Sequence, residues 1–369
     1  MQDYFEQNKF PNSALELSFV GTLALVFTNL MGPFTQILTS MFGSRIVLMT
    51  GTVLVTLALI VAGFSSQIWH LYLTQGIMFG IGASMMYVTI MGVAPQWFTR
   101  RRGLALGMVA SGSGIGGLVI PFIMTPINSS LGYAWTYRIL GFICLACDLV
   151  AVVLVKEKFP RKKGRKKLSD IVQLNVLRNF NFILWCVGSV IMLLGYFVPY
   201  FFLPSYATFH GLSASQGSAL VAVSSAMNFI GRVLAGICAD HIGKLNTNII
   251  FTIIGGLSSL LIWTFATNYG SLMAYSVVFG LFCGSYFALL SPVTAFILGM
   301  EKFPSGLSVL LLFNVIAVFG PNIASAIENG VSAEPFLSYK LFSGVAYLVG
   351  ACILTFLKLR LNRNIFAKI

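Results

Sequence analysis

Apolar residues run along this chain in stretches far longer than a strand or a soluble helix needs, and short polar turns break them. No Asp, Glu, Lys or Arg occurs from Ile46 to Thr99, from Asn179 to Gly231 or from Leu245 to Met300. Each run exceeds the ~20 residues of one membrane span and is long enough for two. Turn-prone segments divide them where a helical hairpin reverses: "GFSSQIWH", "HGLSASQG" and "ATNYGS". The pattern predicts eleven helical spans, near 16–40, 45–64, 68–95, 103–127, 135–155, 181–207, 216–238, 245–266, 270–298, 305–328 and 337–357. These segments are apolar all round rather than alternating over about ten residues, which argues against a transmembrane β-barrel.

Composition turns the pattern into a class. The chain is 57% hydrophobic and 9% charged, against roughly 25% charged in a soluble domain, so it has too little polar surface to coat a globule. An all-α, multi-pass integral membrane protein is expected. All six cysteines fall inside predicted spans. Cys144 and Cys147 form a C-x-x-C on an apolar helix without further thiols, which reads as packing rather than metal or redox chemistry. No cleavable signal is visible in the first sixteen residues, which carry Asp3, Glu6, Lys9 and Glu16.

Charge supplies orientation. Most of the 23 Lys and Arg residues lie in alternate connections: Arg45, Arg100 to Arg102, the run Lys156 to Arg178, Lys244, Lys302 and the tail from Lys358. The opposite connections hold only Lys9. By the positive-inside rule the first set is cytoplasmic, and the net charge of +13 reflects this bias rather than a nucleic-acid surface. "KEKFPRKKGRKK" has the composition of a nucleic-acid patch or a localisation signal, but beside a membrane helix it is expected to face anionic lipid headgroups, so that membrane lipid rather than nucleic acid is the expected partner.

The basic segment also divides the chain into an N-terminal bundle (1–155), a cytoplasmic linker (156–180) and a C-terminal bundle with its tail (181–369). Sliding one half onto the other so that Gly43 meets Gly243 brings Phe79 and Gly80 onto Phe279 and Gly280, and Pro121 onto Pro321. The register of the spans is the better argument for a duplicated architecture. In that register the counterpart of span 181–207 falls before Met1, so a complete protein of this kind would have one further helix.

Arg232 is the most informative residue. It lies in a span otherwise free of charge from Gly217 to Ala239, and an intramembrane Arg costs roughly 3 kcal/mol even on the mildest insertion scale, so it must face a cavity or a partner. Ser224, Asn228 and Arg232 recur every four residues and share one helix face, which would line a polar pathway. The competing reading is an Arg that pins helices together. Asp148, an ionisable group within span 135–155, is as compatible with a place near the interface as with a proton relay. His70 and His210 fall at outer span ends. Tyr87, Tyr196, Tyr200 and Phe287 lie in central or outer parts of their spans and are assigned to a solute site on position alone. Asn128 opens an N-S-S sequon in a predicted short outer loop.

Three stretches carry a family likeness: "QWFTRRRGLALGMVASGSGIGGLVIP", "GYFVPYFFLPSYATFHGLSASQG" and "NFIGRVLAGICADHIGK". On these the chain resembles the major facilitator superfamily and, within it, the monocarboxylate transporter family, especially its fungal branch. The resemblance implies two pseudo-repeated six-helix bundles, a small organic solute as partner, and Arg232 as the residue that pairs with an anionic substrate. Animal members of that family place an Asp, implicated in proton coupling, where this chain has Asn228, which cannot exchange a proton near neutral pH. The family's first-helix Lys would precede Met1. Both departures disfavour proton coupling and open the alternative of a riboflavin-type facilitative carrier. "ADHIGK" and "FGSR" resemble the superfamily's gating loop, with Arg45, Asp240, Lys244, Arg100, Arg101 and Arg102 as gating residues; Asp240 would accept hydrogen bonds from helix N-termini in one state, and Ser40 replaces the Asp in the first copy.

Gly112, Gly114 and Gly117 spell G-x-G-x-x-G, a dinucleotide fingerprint, but no strand precedes them and no acid follows until Asp148. Gly103, Gly107 and Ser111, and likewise Gly112 and Gly116, recur every four residues as small faces for close helix approach. The expectation is a carrier that works by alternating access, in the plasma membrane or a vacuolar or other internal membrane. No catalytic residue, metal site or cofactor is expected. Rival readings are a transporter-like sensor, a nonfunctional truncated relative, and a membrane enzyme, for which no nucleophile with a base is visible.

Overall fold

The structure, a computed structural model, describes residues 5, 9, 14–98, 101–158, 173–331, 334–364 and 367–368. Among these residues the secondary structure is helical throughout. The helices are α1 (Ala14–Leu30), α2 (Gly32–Phe42), α3 (Ser44–Ala62), α4 (Ile68–Trp97), α5 (Arg102–Leu154), α6 (Phe180–Phe209) and α7 (Ala214–Ile242). They continue as α8 (Lys244–Trp263), α9 (Tyr269–Cys283), α10 (Ser285–Ala317), α11 (Gly320–Gly330) and α12 (Leu337–Leu361). Within α4 and α8 the segments Tyr72–Met78 and Ser258–Trp263 are π-helical.

Among the described residues eight helices are long and apolar enough to cross a membrane, or nine where the pair α1 and α2, bent by 49°, counts as one span. This differs from the eleven expected, because the helical backbone runs on through places where the polar pattern puts a turn. Arg102–Leu154 runs for 53 residues, and α9 to α11 follow one another with only short breaks over the 62 residues Tyr269–Gly330, each far more than the ~20 residues that one crossing takes. Gly132 (φ 77°) and Gly299 (φ 75°) stand inside them with left-handed backbone, which only glycine adopts without strain and which turns a helix sharply. The same continuity puts Asn128 and its sequon inside α5 rather than in a loop. The hydroxyls of Ser129 and Ser130 bond back to the Pro126 carbonyl, a short-range option that lets the helix absorb polar residues.

The polarity profile is the inverse of a soluble protein's. Phe122, Leu154 and Phe265 are exposed, while Asn248, Thr252, Ser276 and Thr294 are buried. The Thr252 hydroxyl donates one turn back to the Asn248 carbonyl (2.6 Å), and across helices the indole N–H of Trp185 donates to the Thr294 hydroxyl (3.0 Å). Helix starts are capped where polar residues interrupt the apolar runs. Asn179 accepts from Asn181 and Phe182, Ser213 forms a capping box with Gln216, and Asn268 forms one with Ser271.

The described helices group into two compact units. The first comprises Met1–Trp97, Ile120–Leu174 and Leu307–Val315; the second comprises Phe98–Val119, Asn175–Gly306 and Ile316–Ile369. In the first, Leu17, Val20, Val55, Leu59, Leu71 and Tyr137 form an apolar core. Glu157 accepts hydrogen bonds from the backbone N–H (2.8 Å) and hydroxyl (2.5 Å) of Ser44, placing a carboxylate at the N-terminus of α3. In the second, α7 carries the first half of α5 on one side and α9 on another. Gly43 and Gly243, which the sequence aligns, share a left-handed backbone (φ 91° and 103°), and each N–H bonds four residues back, to Thr39 and Ala239.

Candidate functional site

Why α7 and α5 lie so close follows from small residues. A Cβ at Gly103 would stand 2.5 Å from the Gly236 carbonyl oxygen, one at Gly107 2.6 Å from that of Arg232, and one at Gly114 2.8 Å from the Phe229 nitrogen. Backbone therefore meets backbone, which is what small residues permit in a membrane. Gly112 meets nothing within 4 Å, so the expected second small face through that residue is corrected. The facing set on α5 steps through 103, 107, 110 and 114, the true helical stripe, rather than strictly every four residues.

This contact delivers Arg232 to α5. Its Nη1 donates to the Ala110 carbonyl (2.7 Å) and to the Ser113 hydroxyl (2.5 Å), and its Nη2 lies 3.4 Å from the Tyr196 hydroxyl. The guanidinium centre sits 4.7 Å from the ring centroid of Phe287, a cation–π arrangement. Arg232 is 6% exposed, and its Nε is buried without a hydrogen-bond partner. All of these partners are neutral.

One helical turn away, the Asn228 amide reaches Cys283 Sγ (3.1 Å) and the Tyr200 hydroxyl (3.4 Å). This is where the chain breaks between α9 and α10 at Gly284, and a Cβ there would stand 2.7 Å from Asn228 Nδ2. The Tyr347 hydroxyl donates to the Cys283 carbonyl (3.2 Å) at this break, as membrane burial requires. A turn further, Ser224 donates to the Ser276 carbonyl (3.1 Å). The Tyr196 ring lies tilted against Tyr200 (centroids 5.4 Å apart) and edge-to-face with Phe287 (5.1 Å). A narrow, largely apolar crevice beside them is lined by Pro199, Tyr200, Leu203, Val221, Ser224 and Phe279. Arg232, Asn228, Ser224, Tyr196, Tyr200 and Phe287 thus share one region of the second unit. Tyr87 is half-buried on α4 in the first unit.

The proposed gating residues divide as follows. Asp240 accepts hydrogen bonds from the backbone N–H groups of Gly103 and Leu104, both at 3.0 Å, at the N-terminus of α5, a favourable place for a carboxylate. Lys244 lies 5.7 Å from the Phe296 ring. Arg102 Nε donates to the Phe98 carbonyl (2.6 Å), and Arg101 is exposed. Arg45, in the first unit, donates to the Val155 and Val153 carbonyls, each at 3.2 Å, at the C-terminal end of α5. Arg100 lies outside the described residues, as does most of the basic linker. Asp148 is half-buried in the first unit. Among the described residues no group of three or more His, Cys, Asp or Glu side chains could hold a metal ion.

Two participants, and one buried cation outside the cluster, were not singled out from the sequence. Cys283 stands there only as one of six cysteines inside predicted spans. Ser113 lies within a glycine-rich run whose facing helix cannot be known. Lys340 is 7% exposed, and its Nζ donates to the Tyr206 hydroxyl (2.9 Å). The criterion that singles out Arg232, a lone cation in an apolar span, finds Lys340 as well, because 337–357 holds no other charge.

Long apolar helices with a duplicated register, broken near a buried polar site, define a polytopic secondary carrier. The chain belongs to the Major Facilitator Superfamily, whose pattern it matches over residues 6–321. It is similar to the MFS-type transporter opdF of Penicillium oxalicum, 27% identical over 98% of this chain and 85% of that protein. It is also similar to the Agnestins efflux protein of Paecilomyces divaricatus (26%, 100% and 84%) and the Fujikurins efflux protein of Gibberella fujikuroi (28%, 96% and 76%). Among solved structures it shares its fold with the E. coli fucose:proton symporter FucP at a TM-score of 0.74 and 16% identity, covering 96% of this chain and 93% of that one. The human organic anion transporter MFSD10 matches at the same TM-score with 15% identity, covering 96% and 88%. The protein is therefore a multi-pass membrane transporter of a small organic solute.

Proposed function

We propose that the protein exports a small organic anion with an apolar or aromatic body by alternating access, with Arg232 as the receptor for the anionic group. The observation that carries this reading is the buried guanidinium of Arg232, whose partners are all neutral and whose Nε is unpartnered. Leaving a charge so incompletely satisfied is costly unless an anion completes it in part of the cycle. A carboxylate suits a planar two-pronged donor best, so a monocarboxylate is the proposed class. The rings of Tyr196, Tyr200 and Phe287 favour an aromatic or apolar remainder, and the efflux proteins among the fungal relatives favour export. Export places the carrier in the plasma membrane.

The test is transport of lactate, 2-naphthoate and riboflavin into inverted vesicles containing the full chain, with and without a pH gradient. Arg232-dependent transport of 2-naphthoate is expected. Arg232→Ala should reduce it by about 100-fold or more, the scale on which breaking a buried hydrogen-bonded charge contact is felt, with membrane insertion intact. Transport should not need the pH gradient, because Asn228 has no proton to exchange. Transport of riboflavin but of neither carboxylate, or normal transport by Arg232→Ala, overturns the reading.

A further inference from the structure

The reading of Arg232 as an anion receptor raises the question of what occupies the guanidinium before the solute arrives. Its two strongest contacts come from α5: the Ala110 carbonyl at 2.7 Å and the Ser113 hydroxyl at 2.5 Å. The Ser113 hydroxyl in turn donates to the Ala110 carbonyl (3.2 Å), closing a triangle of oxygen acceptors on Nη1. These two oxygens from one helix thus hold Nη1, one of the two donors that a carboxylate would take. Nη2 is held loosely, with only the Tyr196 hydroxyl at 3.4 Å. Of the side chains on the guanidinium, Ser113 is exposed, whereas Tyr196 is buried, as is Arg232 Nε. Ser113 is therefore the partner that an incoming molecule reaches and can displace.

Resting on that reading, we propose that the Ser113 hydroxyl, with the Ala110 carbonyl, is a stand-in for the solute's carboxylate, so that binding trades an α5 contact on Arg232 for a solute contact. A carboxylate approaching end-on would take Nη1 and Nη2 as a fork. Because Ser113 belongs to α5 and Arg232 to α7, the exchange removes a tie between the two helices. A ligand shifts a conformational equilibrium only by its differential interaction with the two states, and this exchange supplies such a difference. The backbone contacts at Gly103 and Gly107 give the helices a smooth surface on which to shift once the polar tie is released. Ser113 is thus a positioning residue that reports solute occupancy to α5.

The experiment uses the full chain and 2-naphthoate as the probe. A Cβ at Gly117 lies 3.6 Å from the Ser225 Cβ, within disulfide geometry, so Gly117→Cys with Ser225→Cys senses the separation of α5 and α7. Oxidative cross-linking of this pair is expected to slow severalfold when 2-naphthoate is added. Adding Ser113→Ala should slow it without the probe and leave little further effect for the probe. Independently of the cysteine pair, Ser113→Ala should lower the KM for 2-naphthoate about fivefold, the weight of one ordinary hydrogen bond, and Ser113→Thr should restore it. A KM that rises in Ser113→Ala, or cross-linking indifferent to 2-naphthoate while its transport still requires Arg232, overturns the stand-in role and leaves the anion reading intact. Loss of Arg232-dependent transport altogether overturns the anion reading itself.

Discussion

A single methylene-guanidinium chain organises the site. Arg232 is worth its insertion cost only if something pairs with it, and its neutral partners divide the task among a backbone carbonyl, a serine and a tyrosine. Asn228, one turn earlier, is neutral and faces Cys283 and Tyr200. This predicts the behaviour of Asn228→Asp. A carboxylate one turn from Arg232 on the same helix face would compete with the solute for the guanidinium. The variant should therefore show a raised KM for 2-naphthoate at neutral pH, falling as the medium is acidified and the new carboxylate takes a proton. A KM for Asn228→Asp that does not move with pH would show that the two side chains do not share a ligand. The residues that carry these roles were visible in part. A lone Arg among apolar neighbours announces itself, whereas Ser113 and Cys283 look like the other small residues of a membrane helix until the facing helix is known.

At the scale of elements, glycine placement decides which helices touch. Gly107 faces the Arg232 carbonyl at 2.6 Å from a would-be Cβ, while Gly112, five residues on, faces open space. Gly107→Ala should destabilise the detergent-solubilised protein by about 1–3 kcal/mol through overpacking. Gly112→Ala should cost nothing, since removing glycine from a helix interior is favourable by up to ~1 kcal/mol. Thermal unfolding of the two variants side by side checks this, and equal effects would refute the packing register. The sequence marks the glycine-rich run as an interface but not which of its glycines face the partner, because a helix has one stripe and several overlapping small-residue spacings compete for it. The break at Gly284 was equally hidden. Nothing near "LFCGSYF" distinguishes a helix interruption from another tolerated glycine. Gly132 and Gly299, by contrast, turn the backbone within the two gaps, 128–134 and 299–304, that the polar pattern leaves between predicted spans.

For the whole molecule, charge asymmetry predicts a topology that labelling can read. Ser66→Cys and Thr267→Cys, placed in turns that the basic residues avoid, should react with an impermeant thiol reagent on intact cells. Arg101→Cys should react only after permeabilisation, and the reverse pattern would invert the orientation. By itself the sequence determined the medium and the helical class, and it marked Arg232 as a cation that must have a partner. These follow from composition and local periodicity, which act residue by residue along the chain. Only the tertiary structure decided that Arg232 leans on Ala110 and Ser113, that Asp240 sits at the N-terminus of α5, and that Asn228 meets the break at Gly284. Those contacts join segments more than fifty residues apart, and helix pairing in a uniformly apolar medium is set by which backbones can approach rather than by a pattern that either partner shows alone.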